Sequence, residues 1–386
     1  MATPADTSPA RDFANMRSAL ALARRGLGNV WPNPAVGCVL VREADSGEQA
    51  GGRAGRVVGR GWTQPGGRPH AETEAIRRAG ADTKGTTAYV TLEPCAHHGV
   101  TPPCVDALIA ARVARVVAAI DDPDSRTAGR GLARLKESGI EVARGVGAAE
   151  AAEINAGFFL RVREGRPLVT LKLASTLDGR IAAANGESRW ITGTEARARA
   201  HRLRAEFDAV MIGFGAARVD DPELTCRLPG FAGRQPVRIV MNGRLGLSPD
   251  SRLARTARET PVWVVTTVNA DVARTKALAA CGVEIIEVAA GADGHIDAKA
   301  ALVALGGLGL TRVLVEGGGT LAAALFKADL VDRMAWFHAP AVLGGEGRPA
   351  VGEMAIAALA HMPRFEPVAR TAVGDDGLVT FRRSGR

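Results

Sequence analysis

Short apolar runs recur along this sequence, and segments with helical periodicity fill the gaps between them. AVGCVLV (35–41), TTAYVTLE (86–93) and ARVVAAI (114–120) are runs of this kind, with IEVARG (140–145) as a last strand of the first half. DFANMRSALALARR (12–25), residues 71–79, residues 104–112 and RGLARLKESG (130–139) carry the helical period, and three of them stop at a glycine. VVGRGW (57–62) follows a polar, glycine-rich stretch (42–56), which predicts a hairpin with a loose loop. A chain that alternates in this way can cover its strands only with helices, which dictates α/β layers.

The alternation resumes after a short helical run in 146–166 and the REGRP segment. Strands are expected at 168–174, 208–213, 237–242, 262–267, 283–288 and 312–319, then at MAWFHAP and GLVTFRR. Helices are expected at 194–205, 270–280, 297–305 and 320–327. A chain of 386 residues favours more than one domain, and the break near 165 assigns residues 1–165 and 166–386 to two domains.

Composition narrows the function classes. The net charge of +8 is spread along the chain without a block of like charge, and only 4% of residues are aromatic. A nucleic-acid arm or a base-stacking platform is therefore not expected, while a small anionic substrate suits the basic balance. No charge-free apolar stretch of about 18 residues exists, so no membrane span is expected. The first ten residues, MATPADTSPA, read as a frayed start rather than a secretion signal. Five cysteines without such a signal indicate a reducing, cytoplasmic setting, where paired cysteines serve as metal ligands or core residues.

The segment RPHAETEAIRRAG (68–80) opens a helix with His70 and Glu72 two apart. In isolation it is an ordinary helix start. TLEPCAHHGVTPPC (91–104) changes that reading, because it puts Cys95 just past a strand end and Cys104 at the next helix start. Ligands collect at the carboxyl ends of strands in open α/β sheets. His70, Cys95 and Cys104 make three ligands of the softness zinc prefers, leaving a fourth position for water. Zinc lowers the pKa of that water to about 7. Glu72 is placed to touch the water, which is the H-x-E plus P-C pattern of zinc deaminases with the glutamate as proton shuttle. His97 and His98, between the cysteines, read as supporting or substrate contacts, with service as alternative ligands the other reading. Cys38 reads as core; Cys226 and Cys281 have no partner pattern.

Eight residues separate Cys95 from Cys104, where the common deaminase spacing is two. With PNPAVGCVLV (32–41) and GRPHAE (67–72), this longer spacing resembles the deaminase domain of the bifunctional riboflavin-biosynthesis deaminase/reductase family. The resemblance implies a cytidine-deaminase-like three-layer α/β/α domain, zinc on His70, Cys95 and Cys104, Glu72 as catalytic acid/base, and a pyrimidine contact at Asn33. The sequence departs from the family pattern at Thr63, often histidine, at Ala96, often serine, at Val100, often basic, and at Asp124, often asparagine. These departures bear on substrate contacts and leave the ligands and the proton shuttle in place.

In the second half, VLVEGGGTLAAAL (313–325) runs from a buried strand through three glycines into a helix, a shape that lets backbone N–H groups approach a phosphate. It is not the G-x-G-x-x-G fingerprint. With KLASTLDGRIAAANGESRWITG (172–193) and RVDDPELTCR (218–227), it resembles the reductase half of the same family, whose fold is like dihydrofolate reductase. The resemblance implies NADPH contacts at Ala174, Trp190, Ala216, Asp220, Gly318, Gly319, Thr320, Leu321, Ala322, Ala323 and Ala324. It implies substrate contacts at Ser188, Arg204, Leu224, Arg227 and Glu316, with the two arginines suited to a ribose phosphate. Lys172 is a candidate to assist protonation. The resemblance also implies a homo-oligomer, dimer or tetramer. The competing readings are a nucleoside or RNA-editing deaminase with a binding module, and a structural zinc protein that recruits His97 or His98 as a fourth ligand.

Overall fold

Alternation of buried side chains along three strands explains the N-terminal half. Cys38, Leu40, Ala88, Val90, Val116 and Ala118 join one apolar cluster, while Val39, Val41, Tyr89 and Val117 join another. The sheet is thus buried on both faces, one residue parity to each. The computed structural model describes residues 9–43, 55–268 and 270–385, and they form two compact units, Met1–Glu164 and Gly165–Arg386.

In chain order the first unit contains α1 (Pro9–Ala23), β1 (Gly37–Arg42), β2 (Arg56–Trp62), α2 (Ala71–Ala79), β3 (Thr87–Val90), α3 (Cys104–Ala110), β4 (Arg115–Ala118), α4 (Arg130–Glu137), β5 (Glu141–Arg144), α5 (Ala148–Ile154) and α6 (Ala156–Glu164). Its five-stranded sheet has the order β2-β1-β3-β4-β5. The β1–β2 and β1–β3 pairs are antiparallel, and β3–β4 and β4–β5 are parallel. Residues of α2, α3 and α4 pack on one face and residues of α1 and α5 on the other, giving three α/β/α layers. Asp12 of α1 receives the Tyr89 hydroxyl at 2.8 Å and both arms of the Arg115 guanidinium at 2.8 Å, tying α1 to β3 and β4 through a buried network.

Two of the expected elements differ in extent. The run at 86–93 stops being strand at Val90. Beyond it Thr91 and Glu93 bond to Gly37 and Ile120 in an irregular extension that ends at Pro94. The short helical run expected in 146–166 is two helices, α5 and α6. The loop expected within 42–56 falls mainly on residues 44–54, and the frayed start on residues 1–8; both lie outside the described residues.

The second unit contains β6 (Leu168–Thr176), β7 (Arg180–Ala182), α7 (Thr194–Ala205), β8 (Ala209–Gly213), α8 (Phe214–Asp220), β9 (Val237–Met241), α9 (Arg252–Arg255), β10 (Val262–Thr267), α10 (Val272–Ala280), β11 (Glu284–Val288), α11 (Ala298–Gly307), β12 (Arg312–Val315), α12 (Gly319–Lys327), β13 (Arg333–Ala339), β14 (Arg348–Pro349), β15 (Phe365–Val373) and β16 (Asp376–Arg383). Its nine-stranded sheet runs β11-β10-β9-β8-β12-β6-β13-β16-β15. All neighbours from β11 to β13 are parallel, and the β13–β16–β15 edge is antiparallel. The strand expected at 312–319 ends at Val315, because Gly317 and Gly318 take φ of 149° and 82° and turn the chain into α12. α8, α9 and β15 have no counterpart among the expected elements.

Candidate metal centre and reductase cavity

The helix α2 lies close on β2 because two positions of that strand, Gly59 and Gly61, carry no side chain. A Cβ on Gly61 would stand 2.1 Å from the Ala71 carbonyl oxygen, and one on Gly59 would stand 2.4 Å from that of Ala75. The helix backbone therefore lies directly on β2. His70 is the N-cap residue of α2, in extended conformation. Glu74, given no role by the sequence, is buried and held by Arg77 and Arg78 at 2.8 Å and 2.6 Å, one turn further along.

His70, Cys95 and Cys104 converge with all their ligand atoms within 4.8 Å of one another. Cys95 Sγ is 3.7 Å and Cys104 Sγ 3.3 Å from His70 Nδ1. A tetrahedral zinc at normal bond lengths sets sulfur and nitrogen about 3.6 Å apart, so the three residues fit that ion. The Cys104 backbone N–H also donates to Cys95 Sγ at 3.2 Å, so the loop start and the α3 start are already clamped. A hydrogen bond from Cys104 holds the Cys95 thiol down to about 4 against burial, and the same bond pushes Cys104 up. Metal binding to thiols of this kind releases their protons.

Glu72 is 3% exposed. Burial pushes its carboxyl up to about 7, helped by the neighbouring Cys95 charge. That is the range in which a carboxyl exchanges protons at neutral pH. His97 is half-buried and 3.2 Å from the Thr127 hydroxyl, and His98 is exposed. Neither joins the cluster, which among the described residues stays at three. Among the described residues no fourth ligand joins the three.

Three side chains have a supporting role that the sequence did not assign them. Glu93 accepts the N–H groups of Asp122, Gly129, Gly131 and Leu132 at 2.9–3.2 Å, fixing the segment that carries Asp124 and Thr127. Asn155 exchanges two hydrogen bonds with the Ala35 backbone, at 2.8 Å and 3.0 Å. Thr63 accepts the Val36 N–H at 3.0 Å and donates to the Pro34 carbonyl at 3.1 Å. Asn33 lies beside these residues and abuts Gly67, where a Cβ would fall 1.9 Å from its Nδ2. Of the other departures, Ala96 packs against the core, Asp124 is paired with Arg126, and Val100 is 86% exposed.

The second unit holds a cavity of about 580 Å³. Lys172, Ser188, Trp190, Arg204, Ala216, Asp220, Leu224, Arg227 and Glu316 all line it. The lining does not include Ala174 or the Gly318–Ala324 turn and helix. Arg204 and Glu316 form a two-pronged pair at 2.5 Å and 2.8 Å, and Arg204 also reaches the Thr225 carbonyl at 2.9 Å. Burial alone would raise Glu316; Arg204 and Lys172 hold it low. Burial lowers Lys172, opposed by Glu316. Arg227 is exposed at the rim, 3.0 Å from Glu223. His201, one turn before Arg204 on α7, was not singled out; its Nδ1 accepts the Arg227 N–H at 3.3 Å. The loop between Asp220 and Leu224 holds two non-glycine residues with positive φ, Asp221 at 36° and Leu224 at 57°, strain of the kind stored at functional sites.

Comparisons with known proteins agree with both halves. Residues 10–120 match the cytidine and deoxycytidylate deaminase zinc-binding region, and residues 167–379 match the RibD C-terminal domain. The riboflavin biosynthesis protein RibD of Escherichia coli is 41% identical, covering 95% of this chain and 98% of its own. The protein of the same description from Aquifex aeolicus is 37% identical over 95% and 97%. A solved structure of Acinetobacter baumannii RibD superposes with a TM-score of 0.85 at 35% identity, covering 98% of this chain and 100% of that one. A Thermotoga maritima structure, described as a diaminohydroxyphosphoribosylaminopyrimidine deaminase/5-amino-6-(5-phosphoribosylamino)uracil reductase, superposes with a TM-score of 0.82 at 33% identity, over 97% and 99%.

Proposed function

This chain belongs to the bifunctional riboflavin-biosynthesis deaminase/reductase family, and we propose that His70, Cys95 and Cys104 hold its zinc while Glu72 moves the protons of deamination. It is a two-step enzyme, a zinc-dependent deaminase followed by a reductase. The substrate is a diaminopyrimidinone ribosyl phosphate, whose ribosyl group becomes a ribityl chain. The observation that carries the site assignment is the convergence of two sulfurs on His70 Nδ1 beside the buried Glu72.

Zinc, when bound, acidifies a water to near neutrality. Glu72 takes a proton from the attacking water and delivers it to the departing ammonia as the bond between the ring carbon and its exocyclic amine breaks. Asn33 orients the pyrimidine. In the second unit NADPH supplies hydride. Ala174, Trp190, Ala216, Asp220 and Gly318–Ala324 bind that cofactor, and Ser188, Arg204, Leu224, Arg227 and Glu316 bind the sugar phosphate. Arg204 acts as a fixed fork because Glu316 already orients it. Lys172, whose burial eases loss of its proton, gives that proton to the opened sugar as hydride arrives. The resemblance supports a cytoplasmic homo-oligomer, dimer or tetramer, which sedimentation of the purified protein tests.

The experiment is an assay of the purified full chain on the diaminopyrimidinone phosphate with and without NADPH. Ammonia release should not need NADPH, and NADPH oxidation should need prior deamination. Ammonia release by a zinc-loaded Glu72→Ala variant at the wild-type rate overturns the assignment of Glu72.

A further inference from the structure

Arg68 stands two residues before His70 and is half-buried. Its Nη2 lies 3.5 Å from where a Cβ would start on Gly99, so the guanidinium reaches onto the loop joining Cys95 to Cys104. Its charge is close enough to act on the His70 ring. Yet Arg68 Nε is buried without a hydrogen-bond partner, and no other described residue engages its donors. Nearby arginines are committed elsewhere: Arg77 and Arg78 to Glu74, Arg126 to Asp124, and Arg134 to Asp106. A partly desolvated guanidinium with no acceptor is unfavourable. Its planar fork matches phosphate and carboxylate groups, and of these the substrate of the proposed reaction carries a phosphate.

The neighbouring position sharpens the point. Val100 follows Gly99 and is 86% exposed, at a place where the family resemblance leads one to expect a basic residue. Val100 brings no charge to the loop, whereas Arg68, just before α2, brings one that no other described residue engages.

We propose that Arg68 binds the phosphate monoester of the deaminase substrate, supplying from the α2 side the positive charge absent at Val100. This rests on the deaminase reading above. It makes Arg68 a substrate-binding and specificity-determining residue of the first unit.

The test uses the full zinc-loaded chain and ammonia release. The diaminopyrimidinone ribosyl phosphate is compared with the phosphate-free riboside, measured as substrate or as competing inhibitor. Arg68→Ala should raise KM for the phosphate about 10- to 100-fold, the range of a charge-assisted hydrogen bond. It should change kcat less than about threefold and leave the riboside constant unchanged. Adding Val100→Lys to Arg68→Ala should recover much of the lost affinity for the phosphate alone. Equal losses on both compounds, or no loss on either, overturn the proposal; so does loss of zinc from Arg68→Ala, which marks a structural role. A wild-type chain that releases no ammonia from the phosphate overturns the deaminase reading itself, a result distinct from an unselective Arg68→Ala.

Discussion

The two halves build their candidate sites in opposite ways. In the first unit, the ligand atoms of His70, Cys95 and Cys104 crowd within 4.8 Å, beside the buried Glu72. In the second, a cavity of about 580 Å³ is lined by charges that have already found each other, Arg204 with Glu316 above all. The first site turns its donor atoms toward one point, and the second pairs its charges with each other. The lesson is that a metal centre depends on few atoms and fails abruptly when one is lost. A preorganised cavity resists single losses at its rim and fails when its internal pairing is broken.

The largest effect expected tests the first half of that contrast. Glu72→Ala should lower ammonia release by about 10²- to 10⁴-fold, the usual weight of a general acid–base group. Zinc content by elemental analysis and reduction of the pre-deaminated compound should stay at wild-type level. Cys104→Ala should instead lose the metal itself.

Breaking the internal pair tests the second half. The Arg204 and Glu316 side chains are 13% and 7% exposed. Glu316→Ala leaves Arg204 and Lys172 without their counter-charge, which should destabilise the unit by about 3–5 kcal/mol. Chemical denaturation measures this, with NADPH oxidation lost and ammonia release retained. A variant that keeps full stability breaks the comparison.

Gly61→Ala should act more mildly, by about 1–3 kcal/mol, because the added methyl 2.1 Å from the Ala71 carbonyl forces α2 away from β2. Its marker is weakened zinc retention with an intact reductase, read by competition with a chelator.

The smallest effect is acid sensitivity. Burial alone would raise Asp12, but its bonds from Arg115 and Tyr89 outweigh that and hold it below the usual aspartate range. A carboxylate depressed in the folded state stabilises it above the unfolded pKa, and that contribution is lost as pH falls through the folded value. The stability gap between wild type and Asp12→Asn should therefore be full near neutrality and narrow below about pH 4, as followed by urea unfolding.

The same contrast explains what could be read in advance. His70, Glu72, Cys95 and Cys104 were legible because ligand-type residues are chemically distinctive and lie in two short segments. Arg204 and Glu316 were legible only through family resemblance: 112 residues separate them, and nothing local announces their pairing. Glu93, Asn155 and Thr63 were illegible because they bond to backbone groups distant in sequence, which leave no mark in residue type. Thr63 appeared as a lost contact, whereas it secures the segment beside Asn33. Helix and strand positions followed from periodicity wherever one face is buried. β15 went unseen because nearly all of it is exposed, so no apolar alternation signals it. α9 spans only Arg252–Arg255, too short to show a period.

The two glycines of β2 beneath α2 have a consequence for transplanting this chemistry. The His70–Glu72 helix start is not a portable cassette. A designer who grafts it onto another sheet must also import hydrogen-only positions at two alternate sites of the adjoining strand, as at Gly59 and Gly61. Without them the recipient's own side chains would lift the helix, and the histidine would arrive too far from its sulfurs to share a metal.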